Sequence, residues 1–243
     1  MTATGWQPRA NDHGPLVCGH RGASAVEPEN TIAAAVAAAE AGATWIEFDV
    51  RPAADGLVVH HDPVTSDGHR VATTPGDQLD ASIPDFGSFV GACETLGLDI
   101  ELKTDEIGMS NQDFVELTAE SIANHCGDRT TDNMIVTSFD MDALDRFRAH
   151  CPEIATGVLF HDRTGRWAIK RAIDNGHDAI VPWFRLVDAR TVNAAHEAGL
   201  SVATWTVNSD RHVTSMARAG VDMIIGDDPG GIRRVLAADA AAE

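Results

Sequence analysis

Residues 189–225 read ARTVNAAHEAGLSVATWTVNSDRHVTSMARAGVDMII, and this stretch contains two successive helix–strand units. Its pattern predicts helices over residues 189–198 and 211–219 and strands over residues 201–206 and 221–225. Gly199 and Gly220 each stand between a helix and the next strand, where glycine ends a helix without strain. Helices that alternate with strands in this way are typical of parallel sheets with helical crossovers.

The same alternation extends toward the N-terminus, where Gly176 also separates a helix from a strand. Further strands are expected at residues 16–19, 44–50, 98–103, 134–139, 155–159 and 178–181. Further helices are expected at residues 30–41, 111–124, 141–149 and 164–175, the first of them capped by Asn30. Eight strand–helix units in 243 residues predict an α/β fold, a (β/α)8 TIM barrel forming a single domain over residues 1–243. A doubly wound open sheet is the competing arrangement, but no GxGxxG motif follows the first strand.

Two segments depart from this regular alternation. Residues 57–61 predict an extra short strand near the mouth of the barrel, and residues 62–84, rich in Gly, Asp, Thr and Pro, predict a short insertion in the second β/α unit. The Ala-rich tail over residues 237–243 is expected to fray.

The composition is strongly acidic, with a net charge of −19 and only two lysines, Lys103 and Lys170. This charge predicts a protein adapted to concentrated salt, because at a salt concentration of 1 M the repulsion between its acidic side chains is screened beyond about 3 Å. The alternative is an ordinary acidic cytosolic protein. The charge argues against nucleic acid and anionic membranes as partners, because no basic stripe is present. Widely spaced cysteines, no secretory signal and no apolar run of about 20 residues predict a soluble protein of the cytoplasm.

Carboxylates gather at the ends of two predicted strands. Glu47 and Asp49 lie two residues apart on one strand, and Glu101 and Lys103 lie two apart on the next, so each pair shares a face. Active sites of TIM barrels lie at this C-terminal end of the strands. Three converging carboxylates repel one another unless a cation lies between them, and oxygen ligands suit Mg²⁺ or Ca²⁺, with Mn²⁺ as a third candidate. The alternative is a set of solvated charges at strand ends.

Two histidines accompany these carboxylates and are the candidate proton carriers. His20 follows the first strand and His61 ends the extra strand, whereas His60 should face away and is assigned no role. Arg21 is suited to clamp a phosphate through its forked donors. Lys103 is suited to contact a phosphate oxygen, although a structural ion pair with a neighbouring carboxylate is the alternative. These groups together favour metal-assisted phosphoryl chemistry on a small substrate.

A series of short motifs runs in order along nearly the whole chain: His20-Arg21-Gly22, Pro28-Glu29-Asn30-Thr31, Glu47-Phe48-Asp49-Val50, Asp55-Gly56, His61-Asp62, Ile83-Pro84, Glu101-Leu102-Lys103, Ser138-Phe139, Trp205-Thr206-Val207-Asn208, and Asp227 with Pro229. In this combination they resemble the signature of glycerophosphodiester phosphodiesterases. Glu101 follows His61 after only 40 positions, so the insertion is shorter than that family usually carries.

The resemblance implies a TIM-barrel enzyme that uses one divalent cation to cleave glycerophosphodiesters into an alcohol and glycerol phosphate. It implies three roles by matching positions: metal ligands at Glu47, Asp49 and Glu101, an acid–base pair at His20 and His61, and substrate contacts at Arg21, Lys103 and Trp205. The small-molecule substrate is then a glycerophosphodiester, with Trp205 beside its glycerol. Two alternatives remain: a phospholipase D-like hydrolase of lysophospholipids or other phosphodiesters on the same barrel, and a non-catalytic binding barrel.

Overall fold

The computed structural model describes residues 14–127, 131–162 and 165–241. Within these residues, eight parallel strands close into a barrel, and a ninth strand is added at its edge. The strands are β1 Leu16–His20, β2 Trp45–Pro52, β3 Leu57–Val59, β4 Gly97–Leu102, β5 Met134–Ser138, β6 Ala155–Phe160, β7 Ala179–Pro182, β8 Ser201–Thr204 and β9 Met223–Gly226. Strand β1 pairs in parallel with both β2 and β9, which closes the barrel. The predicted (β/α)8 architecture is confirmed.

In the described part of the chain, seven helices lie in the crossovers between parallel strands, and an eighth follows β9. They are α1 Ile32–Glu40, α2 Phe86–Ala92, α3 Asn111–His125, α4 Met141–His150, α5 Gly165–Asn175, α6 Ala189–Glu197, α7 Asp210–Ala219 and α8 Pro229–Ala240. Side-chain oxygens cap several of these helices, as Asp85 does when it accepts a hydrogen bond from the Ser88 amide at the start of α2. None of the helices in the described part of the chain has the length and hydropathy of a membrane span.

The start of α1 corrects one expectation. The capping side chain is that of Thr31, whose hydroxyl accepts a hydrogen bond from the Ala34 amide, and not that of Asn30. Asn30 has a φ of +58°, a left-handed conformation that asparagine tolerates better than most residues. Its side chain points away from the helix and into the barrel mouth, where it bonds to Asp49.

The remaining departures from regular alternation concern the insertion and the tail. The predicted extra strand is present as β3, which pairs antiparallel with β2 but ends at Val59, two residues earlier than predicted. Residues 62–84 contain two short 3₁₀ turns. The insertion packs its own small apolar cluster around Val58, Val71 and Leu79. At the C-terminus, α8 continues through Ala240 and so includes residues 237–240 of the Ala-rich tail. Residues 242 and 243 lie outside the described residues.

Alternation along β2 explains how charged side chains come to lie inside the barrel mouth. Ile46, Phe48 and Val50 belong to the apolar layer between the barrel and its helices, and they are fully buried. Successive side chains of a strand point to opposite faces, so Glu47 and Asp49 point toward the barrel axis. The axis below them is filled by the second apolar cluster: Cys18, Trp45, Ile135, Ala155, Leu159, Ala179, Val181, Ala203, Met223 and Ile225.

Candidate active site

Three buried carboxylates converge at the C-terminal end of the barrel strands. The strand register aligns Asp49 of β2 with Glu101 of β4, and Glu47 lies two residues before Asp49 on the same face. One carboxylate oxygen from each residue lies within 4.8 Å of the other two. Their residues are only 5%, 0% and 9% exposed for Glu47, Asp49 and Glu101, which argues against solvated charges at strand ends.

The hydrogen bonds around this cluster leave part of each carboxylate free for a cation. Glu47 Oε2 accepts a hydrogen bond from the Arg21 amide (3.0 Å), and Glu101 Oε1 accepts one from Lys103 Nζ (2.9 Å). Glu47 Oε1 and Asp49 Oδ1 are buried and accept no hydrogen bond from any described residue. A buried anionic oxygen without a donor is costly, and a divalent cation among these oxygens removes that cost. The residues present therefore fit a hard divalent ion with oxygen ligands.

Burial and, after it, mutual repulsion both disfavour negative charge on the carboxylates of the cluster. Burial, followed by the charges of Asp49 and Glu101, raises the pKa of Glu47 well above its ordinary value. Burial and the charge of Asp49 raise the pKa of Glu101 to about 7. Burial opposes the charge on Lys103, yet Glu101 and Asp49 together raise its pKa, so the ammonium stays protonated beside them.

His20 is held by a carboxylate from the opposite end of the chain. Its Nδ1 lies 2.7 Å from Asp227 Oδ1, and its Nε2 lies 4.0 Å from Glu47 Oε2. Asp227 in turn accepts hydrogen bonds from Ser24 Oγ (3.1 Å) and from the side-chain amide of Asn208. Burial alone would raise the pKa of Asp227, but the hydrogen bonds, led by that of His20, keep it below its ordinary value. This places an ionised carboxylate behind His20 and leaves Nε2 facing the cluster.

His61 lies just beyond β3 and has its own carboxylate partner. Its Nδ1 lies 2.7 Å from Asp62 Oδ1, and this hydrogen bond lowers the pKa of Asp62. The preceding amide, of His60, donates to the Asp49 carbonyl (3.0 Å), which ties this segment to β2. Arg51, which is 2% exposed, donates a hydrogen bond from Nε to the His61 carbonyl (2.7 Å). The segment that carries His60 and His61 is therefore held to β2 by a side chain as well.

The two predicted phosphate-binding cations both face the carboxylates. Arg21 has a φ of +55°, donates to Glu29 Oε1 (2.8 Å), and brings Nε to 3.1 Å from Asp49 Oδ2 without the alignment of a hydrogen bond. Lys103 Nζ lies 3.7 Å from Asp49 Oδ1. Positive charge therefore lies on two sides of the same carboxylate.

Trp205 forms an aromatic wall on the far side of the mouth. Its indole Nε1 donates to the Val181 carbonyl (2.9 Å), and its ring meets the edge of Phe139 at 5.5 Å between centroids. Together with Asp99 it lines a small cavity that also includes His20, Glu47, Glu101, Thr137, Leu159 and Ile225. The structure thus brings Trp205 to the same cavity as one predicted histidine and two predicted metal ligands.

Four residues around the site were assigned no site role from the sequence: Asn30, Arg51, Asp99 and Asp227. Asp99 had a readable signal, because it lies two residues before Glu101 and therefore shares its face. It is 1% exposed and accepts a hydrogen bond from Thr137 Oγ1 (2.7 Å), and burial raises its pKa to about 7. The others act through partners that are distant along the chain.

A closed (β/α)8 barrel with three buried carboxylates, two carboxylate-paired histidines and two cations at its mouth defines a class of metal-assisted hydrolases. The family model of the glycerophosphoryl diester phosphodiesterase family matches residues 20–231. The chain belongs to this family. The enzyme class that the motifs predict, a phosphoric diester hydrolase, is thereby confirmed.

Individual relatives agree with the family match. The chain is 29% identical over 241 residues to the glycerophosphodiester phosphodiesterase of Caldanaerobacter subterraneus subsp. tengcongensis, covering 88% of this chain and 94% of that protein. It is 27% identical, with a TM-score of 0.83, to an Oleispira antarctica phosphodiesterase in complex with the product sn-glycerol-3-phosphate, covering 92% and 97% of the two chains. A glycerophosphodiester phosphodiesterase from Parabacteroides distasonis shares the fold, with a TM-score of 0.83, 23% identity and coverage of 95% and 100%.

Proposed function

We propose that this protein hydrolyses glycerophosphodiesters to an alcohol and glycerol phosphate, using one divalent cation held by Glu47, Asp49 and Glu101. The observation that carries the proposal is the cluster itself: buried carboxylate oxygens that lack donors, inside a barrel of this family. The Oleispira antarctica relative was crystallised with sn-glycerol-3-phosphate as product, which supports the same product here.

The oxygen ligands of the cluster suit Mg²⁺, Ca²⁺ or Mn²⁺, and a cation held by Glu47, Asp49 and Glu101 would neutralise charge at the phosphate. Arg21 and Lys103 add positive charge on two sides of the carboxylate cluster. Arg21 is held there by Asp49, and Lys103 by Glu101. Because these side chains are already oriented, they stabilise the charge of the transition state without reorganising.

The two histidines divide the proton transfers. His20 donates a hydrogen bond from Nδ1–H to Asp227 Oδ1, so its Nε2 is the atom that accepts a proton from the attacking hydroxyl or water. His61 donates a proton to the alkoxide oxygen as its bond to phosphorus breaks, so the alcohol leaves neutral. Trp205 offers a flat apolar face to the carbon chain of the glycerol.

The proposal is tested with a panel of glycerophosphodiesters that differ in their alcohols, each assayed with Mg²⁺, Ca²⁺, Mn²⁺ and a chelator. His20→Ala and His61→Ala should each lower kcat by about 10²–10⁴-fold while leaving Tm unchanged. His69→Ala is the matched control, since His69 is also paired with an aspartate, Asp67 at 3.0 Å, but lies exposed in the insertion and has no predicted role. Turnover that survives both substitutions, or that survives chelation, would refute the assignment.

A second candidate substrate class is favoured by one observation. Phe139, which follows β5, is 40% exposed and packs against Trp205, and these two aromatic rings offer an apolar surface to an acyl chain. Lysophospholipids therefore belong in the same panel. Release of choline from lysophosphatidylcholine at a rate above that from glycerophosphocholine would favour this second class.

A further inference from the structure

Asn30 occupies an unusual position for a polar side chain. It is 2% exposed, its φ is +58°, and its backbone amide donates to the Arg21 carbonyl (3.0 Å). It does not cap the following helix, because Thr31 does so. A buried amide side chain in a left-handed backbone conformation needs specific partners to offset its desolvation.

The side chain of Asn30 has one partner residue, Asp49, which it contacts through both its amide nitrogen and its amide oxygen. Asn30 Nδ2 donates to Asp49 Oδ2 (2.8 Å), and Asn30 Oδ1 accepts from the backbone amide of Asp49 (3.3 Å). The side-chain amide of Asn30 therefore bonds to both the carboxylate and the backbone amide of Asp49. Rotation of the Asp49 side chain would break the hydrogen bond from Asn30 Nδ2.

These hydrogen bonds place the two carboxylate oxygens of Asp49 in different surroundings. Oδ2 is engaged by Asn30 and lies beside Arg21 Nε (3.1 Å), whereas Oδ1 is buried and receives no hydrogen bond from any described residue. Oδ1 is then the oxygen left for a cation. A carboxylate held through one oxygen presents the other in a fixed direction.

We propose that Asn30 is a positioning residue that presents Asp49 to the divalent cation as a one-oxygen ligand. The inference rests on the proposed function, in which Asp49 is a metal ligand. It differs from a purely structural role for Asn30, which would order the loop after β1 and leave cation affinity unchanged.

The test measures binding of Mg²⁺ and Mn²⁺ to the full chain by titration calorimetry, without substrate. Asn30→Gly removes the amide while keeping a residue that adopts positive φ freely, and it should raise the Kd by about 10–100-fold. Glu106→Gly is the matched control, because Glu106 also has a positive φ (+53°) but lies in an exposed loop. Its Kd should equal that of the wild type. Asn30→Ser, which also cannot span both partners, should repeat the loss.

Each outcome decides between the two roles. Equal Kd values for wild type and both Asn30 variants would overturn the inference and leave the proposed function standing. A Glu106→Gly loss as large as that of Asn30→Gly would overturn it too, since the effect would then belong to the backbone. Failure of both Asn30 variants to fold would overturn the inference in favour of a structural role for Asn30. A wild type that binds neither cation would refute the metal site itself, and the inference with it.

Discussion

Asp99 offers a quantitative test of the electrostatics at the barrel mouth. It is 1% exposed and contributes to the small cavity that also contains Glu47, and burial raises its pKa from 3.8 to about 7. Between these two pH values the folded protein keeps a proton that the unfolded chain has released. Folding then binds protons, so the stability of the metal-free protein falls as pH rises through this window.

The size of the effect follows from the pKa. A rise from 3.8 to about 7 corresponds to about 4 kcal/mol of unfolding free energy lost between the lower and the higher pH. For a chain of this length that is roughly 8–16 °C in Tm. In Asp99→Asn the side chain is neutral at every pH, and its oxygen still accepts the hydrogen bond of Thr137. The variant should therefore match wild type near pH 4 and become the more stable protein as pH approaches 8.

The assay is urea unfolding of both proteins in the presence of a chelator at intervals from pH 4 to pH 8. The difference between the two proteins reports Asp99 together with the effect of its charge on Glu47 and Glu101, whose pKa values it helps to raise. Added Mg²⁺ should shrink the difference at pH 8, since a nearby cation favours the ionised form of Asp99. A difference that stays constant with pH, or that moves in favour of wild type as pH rises, would refute the account of a desolvated carboxyl.

Three further substitutions test the surroundings of the site. Asp227→Asn should lower kcat about 10²-fold or more with little change in Tm, because His20 loses the charge behind it; steady-state kinetics and melting curves check this. Arg51→Met should lower the unfolding free energy by about 2 kcal/mol in urea and reduce kcat as well, because the His61 carbonyl loses a charged donor. Gly22→Ala should cost at least about 2 kcal/mol in the same measurement, because φ is +88° there and a Cβ would lie 2.6 Å from helix α1.

The parts of the site that depend on strand periodicity were predictable from the sequence. Glu47, Asp49 and Glu101 were placed on one face because side chains two apart on a strand share a direction, and the structure confirms that they converge. Trp205 was placed only through motif resemblance, because periodicity gives no reason to favour an aromatic residue there. It nevertheless lines the same cavity.

The parts that depend on distant partners were not predictable. Asn30 precedes a helix, and asparagine there is typical of a cap, so only the position of Asp49 across the barrel mouth reveals its other role. Asp227 meets His20 across 207 positions of sequence, a pairing that local patterns do not contain. Helix α2 was missed for a local reason, since Gly87 and Gly91 weaken its helical pattern.

The surroundings of the two histidines differ in a way that bears on their proposed roles. The His20 side chain is 19% exposed, and its partner Asp227 is 32% exposed and held by further hydrogen bonds. The His61 side chain is 32% exposed, and its partner Asp62 is 67% exposed. Asp227 is the more enclosed of the two carboxylates, and its hydrogen bonds hold it in place against His20 Nδ1. A group that must give up its proton and regain it from water is better served by the solvated setting of His61. We therefore favour the proposed assignment of His20 as the base and His61 as the acid.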